Sequence, residues 1–212
     1  MCNNEEYTLN ELINNDEACA LVEHPKVWGE SEGRSSAAGN THKVLPGCVY
    51  RSSVAMGIGF FLKEMTLTTD DIRVFTETPV QDVVDNIRVF LSSEAKARYK
   101  ELGMIHKRGI LLFGKPGTAK TCAVDLISRE FSAIGGITIY GSNTRVVAAC
   151  LEMTRKIQPT IPILTVLEDI DSIYQADSHG FLALLDGEDQ IDGVVFLATT
   201  NYPEQLPERI IN

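Results

Sequence analysis

Gly114-Lys115-Pro116-Gly117-Thr118-Ala119-Lys120-Thr121 has the residue types and spacing of a loop built to hold phosphate. It follows the apolar run Gly109-Ile110-Leu111-Leu112-Phe113 and precedes a helix-like segment opening at Cys122. Strand, glycine-bearing loop, Lys-Thr and helix, in that order, is the layout of a phosphate-binding P-loop. Backbone N–H groups of such a loop converge on phosphate oxygens, and the helix N-terminus adds partial positive charge. Lys120 is then expected at the β- and γ-phosphates, with the Thr121 hydroxyl on Mg²⁺. One position departs from G-x-x-x-x-G-K-[ST]: Ala119 stands where Gly precedes the Lys. Its methyl group crowds the loop and disfavours a positive φ.

Hydrolysis needs more than a phosphate cradle. Acids that organise the metal and activate water belong at the end of a neighbouring buried strand. Ile163-Leu164-Thr165-Val166-Leu167 is apolar and β-branched, as a strand covered on both faces should be, and Glu168 and Asp169 follow it directly. Open parallel sheets bind ligands at this C-terminal end. A third run, Val194-Val195-Phe196-Leu197-Ala198, ends in Thr199-Thr200-Asn201. The Asn201 amide could hold a water or a phosphate by hydrogen bonds, but on the residues alone it reads first as an ordinary turn former.

Taken together, the block of residues 109–121, the block Glu168-Asp169-Ile170-Asp171-Ser172-Ile173 and Ala198-Thr199-Thr200-Asn201 resemble the AAA+ ATPases in order and approximate spacing. The resemblance covers roughly residues 80–212. It implies a Walker A element at Gly114, Lys115, Pro116, Gly117, Thr118, Ala119, Lys120, Thr121 and Cys122. It also implies a Walker B pair at Glu168 and Asp169, and a sensor at Asn201. The usual Walker B order is Asp then Glu. The reversed order here is similar to the branch of mitochondrial Rieske-protein assembly ATPases. Glu168 then takes the Mg²⁺ side with Thr121, and Asp169, one methylene shorter than Glu, the water-activating role. The implied cofactors are ATP and Mg²⁺. The implied partners are a homo-oligomeric ring and a protein substrate.

Other expectations follow from the resemblance. The family's arginine finger and helical lid come after the point where this sequence stops, so the chain reads as truncated before them. A finger contributes about three to five powers of ten in rate, which leaves open a nucleotide-binding regulatory or assembly module with little turnover. Arg209 lies a few residues early for a finger and reads as a surface helix residue. Gly141-Ser142-Asn143-Thr144-Arg145 lacks the aromatic of an unfoldase pore loop, and Tyr140 reads as a packing residue.

Composition narrows the function classes. The chain has 212 residues, 44% hydrophobic and 23% charged, with a formal net charge of -10. An acidic chain gains nothing from counterion release on nucleic acid, so a motor or loader on DNA is disfavoured. The five cysteines, Cys2, Cys19, Cys48, Cys122 and Cys150, form no CxxC pair, and the four histidines show no metal spacing. Reduced thiols in a cytoplasmic protein, with Cys122 packed, are the simplest reading. The N-terminus, Met1-Cys2-Asn3-Asn4-Glu5-Glu6, is polar and acidic rather than a signal peptide, and the apolar stretch 54–62 is too short to span a bilayer.

The elements that must position these residues read as an α/β, three-layer P-loop core with a parallel sheet, preceded by a small helical and β-hairpin element. Residues 1–28 have helical spacing, 29–42 are small and polar like a linker, 43–78 are strand-rich and 79–212 form the core. Strands are expected at 44–50, 60–67, 72–75, 111–113, 137–140, 164–167 and 194–198. Helices are expected at 80–91, 93–102, 121–131, 144–157 and 179–185, alternating with the core strands as a parallel sheet requires.

Overall fold

The computed structural model describes residues 27–31, 34–38, 47–55, 59–67, 79–186 and 191–211. Its strands are β1 (Val27–Ser31), β2 (Arg34–Ala38), β3 (Val49–Ala55), β4 (Gly59–Glu64), β5 (Lys107–Phe113), β6 (Ile137–Tyr140), β7 (Ile163–Leu167) and β8 (Val194–Thr200). Its helices are α1 (Pro79–Leu91), α2 (Ser93–Glu101), α3 (Lys120–Ala133), α4 (Thr144–Ile157), α5 (Ile170–Ala176), α6 (Ser178–Asp186) and α7 (Glu208–Ile211).

One sheet runs β1-β2-β4-β3-β6-β7-β8-β5. Neighbours among β3, β6, β7, β8 and β5 pair in parallel, whereas β1, β2 and β4 join antiparallel. β6 and β7 are buried at every position, as central strands covered on both faces must be. Alternate residues feed two cores. Ile137, Ile163, Leu167, Val194 and Phe196 meet α4, α5 and α6 through Val147, Leu151, Ile170 and Phe181. Leu164, Val166, Val195 and Leu197 meet α1 and α3 through Val84, Ile87, Phe90, Val124, Ile127 and Phe131. The result is the expected three-layer α/β architecture.

Helix boundaries follow local chemistry. The Ser92 hydroxyl caps α2 by accepting the Ala95 N–H at 3.2 Å, and Asn143 Oδ1 caps α4 by accepting from Val146 at 3.1 Å. Val84, Ile87 and Phe90 form the buried stripe of α1.

The N-terminal third departs from the sequence reading. Residues 27–31 and 34–38, assigned above to the end of a helical arm and to a linker, pair as an antiparallel ladder that continues onto β4. A backbone ladder needs no apolar side chains, so small polar residues disguise it. The strand-rich segment is no separate element either, because β3 lies in parallel beside β6 within the core sheet. Its first strand spans Val49–Ala55 rather than 44–50. Residues 1–26 and 72–75 lie outside the described ones. Helix α5 was not foreseen, since its seven residues carry too few turns for a periodic pattern. Cys48 is disulfide-bonded, so the expectation that every thiol is reduced is corrected.

Candidate functional site

Parallel pairing brings the C-terminal ends of β5, β7 and β8 to one edge of the sheet, and each end carries one of the motifs. After β5 the chain turns through Gly114, Gly117 at φ 81° and Ala119 at φ 59° before α3 starts at Lys120. Gly117 tolerates that φ freely, whereas Ala119 holds a left-handed conformation that only Gly visits without cost. The loop is braced internally. Thr118 Oγ1 donates to the Lys115 carbonyl at 2.8 Å, and the Thr118 N–H to the same carbonyl at 3.3 Å. No side chain caps the N-terminus of α3, so its first N–H groups stay open to an anion. That open, 14-residue helix end, with Lys120 on its first turn, fits a nucleotide phosphate.

After β7 the acidic pair takes a second unusual turn. Asp169 adopts φ 50°, ψ 54° and precedes α5 without capping it by its side chain. Its N–H donates to Thr199 Oγ1 at 3.1 Å. Two residues on, the buried Asp171 accepts from Thr200 Oγ1 at 2.6 Å, and the Tyr202 N–H donates to that same hydroxyl at 3.0 Å. β8 outlasts β7 by two residues, so Thr199 and Thr200 face the turn that the acidic pair makes.

A hydrogen-bonded chain links the three strand ends. The Lys120 ammonium donates to the Gly114 carbonyl at 2.7 Å, to the Lys115 carbonyl at 3.2 Å and to Asn201 Oδ1 at 2.6 Å. The other end of the Asn201 amide, Nδ2, donates to Asp169 Oδ1 at 3.3 Å. Asn201 therefore does more than form a turn. Lys120, Asn201 and Asp169 come together, while among the described residues no hydrogen bond joins Thr121 to Glu168.

Between α3 and β6 lies a polar group that sequence reading missed. The Tyr140 phenol donates to Asp125 Oδ1 at 2.9 Å and lies 3.2 Å from Ser128 Oγ, whose proton has a second acceptor in the Val124 carbonyl. Burial raises the Tyr140 pKa above the usual tyrosine range, against the Ser128 hydrogen bond and with help from the charges of Asp125 and Glu168, so the phenol stays protonated. Tyr140 is thus buried as expected yet also hydrogen-bonded. Only the spacing of Asp125 and Ser128 on one face of α3 hinted at it.

A cleft of about 550 Å³ adjoins the loop, lined by Val80, Phe113, Ala119, Lys120, Cys122 and Leu126 among others. Its walls are mostly apolar, which suits a flat ring attached to the phosphates. Cys122, expected as a packed thiol, is exposed there as a free cysteine, because the first turn of α3 faces the cleft rather than the sheet. Arg209 is exposed on α7, as foreseen.

The sheet order and the loop define a P-loop nucleotide-binding module. Residues 110–212 match the model of the family described as ATPase family associated with various cellular activities (AAA). Similar curated proteins include the ATPase family gene 2 protein of Saccharomyces cerevisiae, 29% identical over 57% of this chain and 18% of that protein. The ATP-dependent zinc metalloprotease FtsH 1 of Symbiobacterium thermophilum is 28% identical over 70% of this chain and 27% of its own length. The proteasome-activating nucleotidase of Methanosarcina mazei is 26% identical over 62% and 36%. The chain thus spans between 18% and 36% of the length of these relatives. No helix among the described residues is long and apolar enough to cross a membrane.

Proposed function

We propose that this chain binds ATP with Mg²⁺, hydrolyses it to ADP and phosphate, and works in a cytoplasmic oligomer that remodels a protein partner. The observation that carries the reading is the chain Lys120–Asn201–Asp169, which joins the ends of β5, β8 and β7 at one point. Lys120 balances phosphate charge, and the N–H groups that open α3 bind the oxygens. Asn201 holds the attacking water toward Asp169, whose carboxylate orients or deprotonates it. Thr121 and Glu168 would hold Mg²⁺, which supplies charge neutralisation at the phosphates when bound. The Glu168–Asp169 order supports a place near the Rieske-protein assembly branch.

A second reading is favoured by two observations: Ala119 and Asp169 both hold left-handed backbone, and the base is an Asp. A site with those features suits a nucleotide-binding regulator with little turnover. Steady-state hydrolysis against protein concentration, with ATP binding on the same samples and Lys120→Ala as control, separates the two. Turnover that rises with concentration and vanishes in the variant supports the ATPase. Binding without turnover supports the regulator.

A further inference from the structure

Asp is among the preferred residues for capping a helix N-terminus with its side chain. Asp169 stands at that position before α5 and makes no side-chain cap. Its carbonyl alone starts the helix, accepting from Ser172 at 2.9 Å and Ile173 at 3.3 Å. Its carboxylate points instead to Asn201, at 3.3 Å. The left-handed backbone at φ 50° is what turns it that way, and this conformation carries a cost for any L residue, although Asp tolerates it better than most. A strained turn persists only when its surroundings hold it.

The holding group is visible. The Asp169 N–H donates to Thr199 Oγ1 at 3.1 Å, and the Thr199 side chain is 3% exposed. Alternation along β8 puts Thr199 on the α3 face with Val195 and Leu197, while Thr200 faces α5 and bonds Asp171. The two threonines therefore grip the acidic turn from opposite faces of the sheet, and only Thr199 touches Asp169 itself. From this geometry we infer that Thr199 is a positioning residue for hydrolysis: its hydroxyl fixes the left-handed backbone of Asp169 and so aims the carboxylate at the water site rather than at the end of α5. The inference rests on the ATPase reading above for its catalytic consequence, and on the hydrogen bond alone for its structural one.

The test uses the full chain with Thr199→Val, nearly isosteric but without the hydroxyl, and Thr199→Ser, which restores it. Thr199→Ala replaces the Val variant if the latter does not fold. Amide exchange of Asp169 by NMR should be about fivefold faster in Thr199→Val than in the parent and near the parent rate in Thr199→Ser. Hydrolysis should fall about ten- to a hundredfold in kcat, as expected when a reacting group shifts by a fraction of an ångström, with KM and ATP affinity within about twofold. Thr199→Ser should recover most of the rate. Unchanged Asp169 exchange in Thr199→Val, a joint change in kcat and KM, or no recovery by Ser overturns the proposal. If the parent binds ATP without turnover, the ATPase reading fails by itself, and Asp169 exchange still decides whether Thr199 holds the turn.

Discussion

The two ends of the parallel sheet are built from the same strands and solve opposite problems. At the N-terminal end, charge is half-buried and fully spent. The Arg155 guanidinium donates to the Asp192 carbonyl at 2.7 Å, to Gly193 at 2.8 Å and to Pro159 at 3.2 Å, with the Gln158 and Ile161 carbonyls also in reach. Burial lowers its pKa to about 10, against the pull of Asp192. His106 is equally committed: Nε2 donates to the Phe90 carbonyl at 2.7 Å, and the ring stacks on Phe90 at 3.9 Å. At the C-terminal end, Lys120 and Asp169 are joined through one amide, α3 begins uncapped, and two non-glycine residues hold left-handed backbone. One end stores stability in satisfied groups. The other holds groups ready for a ligand, at a cost in strain.

The largest effects should come from emptying the C-terminal end. Lys120→Ala removes the ammonium that bonds Gly114, Lys115 and Asn201 and is expected to lower hydrolysis by about a thousandfold, with loss of ATP binding, while Tm stays within about 3 °C. Isothermal titration and thermal melts on the same samples check this. A large drop in Tm would show that Lys120 stabilises the fold through Gly114 and Lys115 and would blur the contrast between the ends. Asp169→Asn keeps the left-handed turn and the contact with Asn201 but removes the base. It should cost about a hundredfold in kcat with ATP affinity retained. Loss of affinity instead would assign Asp169 to the metal side and Glu168 to the water.

What was legible in the sequence follows the same division. The loop, the acidic pair and Asn201 could be read because chemistry at strand ends demands particular residue types, and Asn201 does reach Lys120. The core strands β5 to β8 were legible from apolar runs that two covering layers require. The hairpin β1–β2 was not, because Gly29-Glu30-Ser31 and Arg34-Ser35-Ser36 carry no alternation that distinguishes an edge ladder from a linker. The roles of Thr199, Asp125 and Ser128 were equally hidden. Each depends on which face a residue takes and on partners up to 30 positions away, as with Thr199 and Asp169.

Arg155→Met probes the opposite end with a smaller effect. It leaves several carbonyls at the bases of β7 and β8 without their donor, at a cost of about 3 kcal/mol. For a chain of this size that is a Tm about 6–12 °C lower by differential scanning calorimetry. ATP affinity measured well below that Tm should be unchanged. A loss of affinity in the folded variant would mean that the strands transmit strain from one end to the other, and the separation drawn here would fail.

The smallest effect is the most discriminating, because it tests whether strain at the C-terminal end is inherent to its use. Asp tolerates left-handed backbone by its short polar side chain, but Ala has no such compensation, so Ala119 carries the less excusable strain of the two. Ala119→Gly should relieve it. The relief of about 1–2 kcal/mol is partly offset by the greater freedom of Gly in the unfolded chain, leaving a Tm rise of up to about 2–4 °C. If the relaxed loop also closes better on phosphate, ATP affinity rises by up to about fivefold, since that factor corresponds to about 1 kcal/mol. A higher Tm with unchanged affinity would place the strain in the folded loop alone. A higher Tm with weaker affinity would show the opposite: Ala119 holds α3 and Lys120 in the geometry that binds, and the strain is maintained because the site uses it.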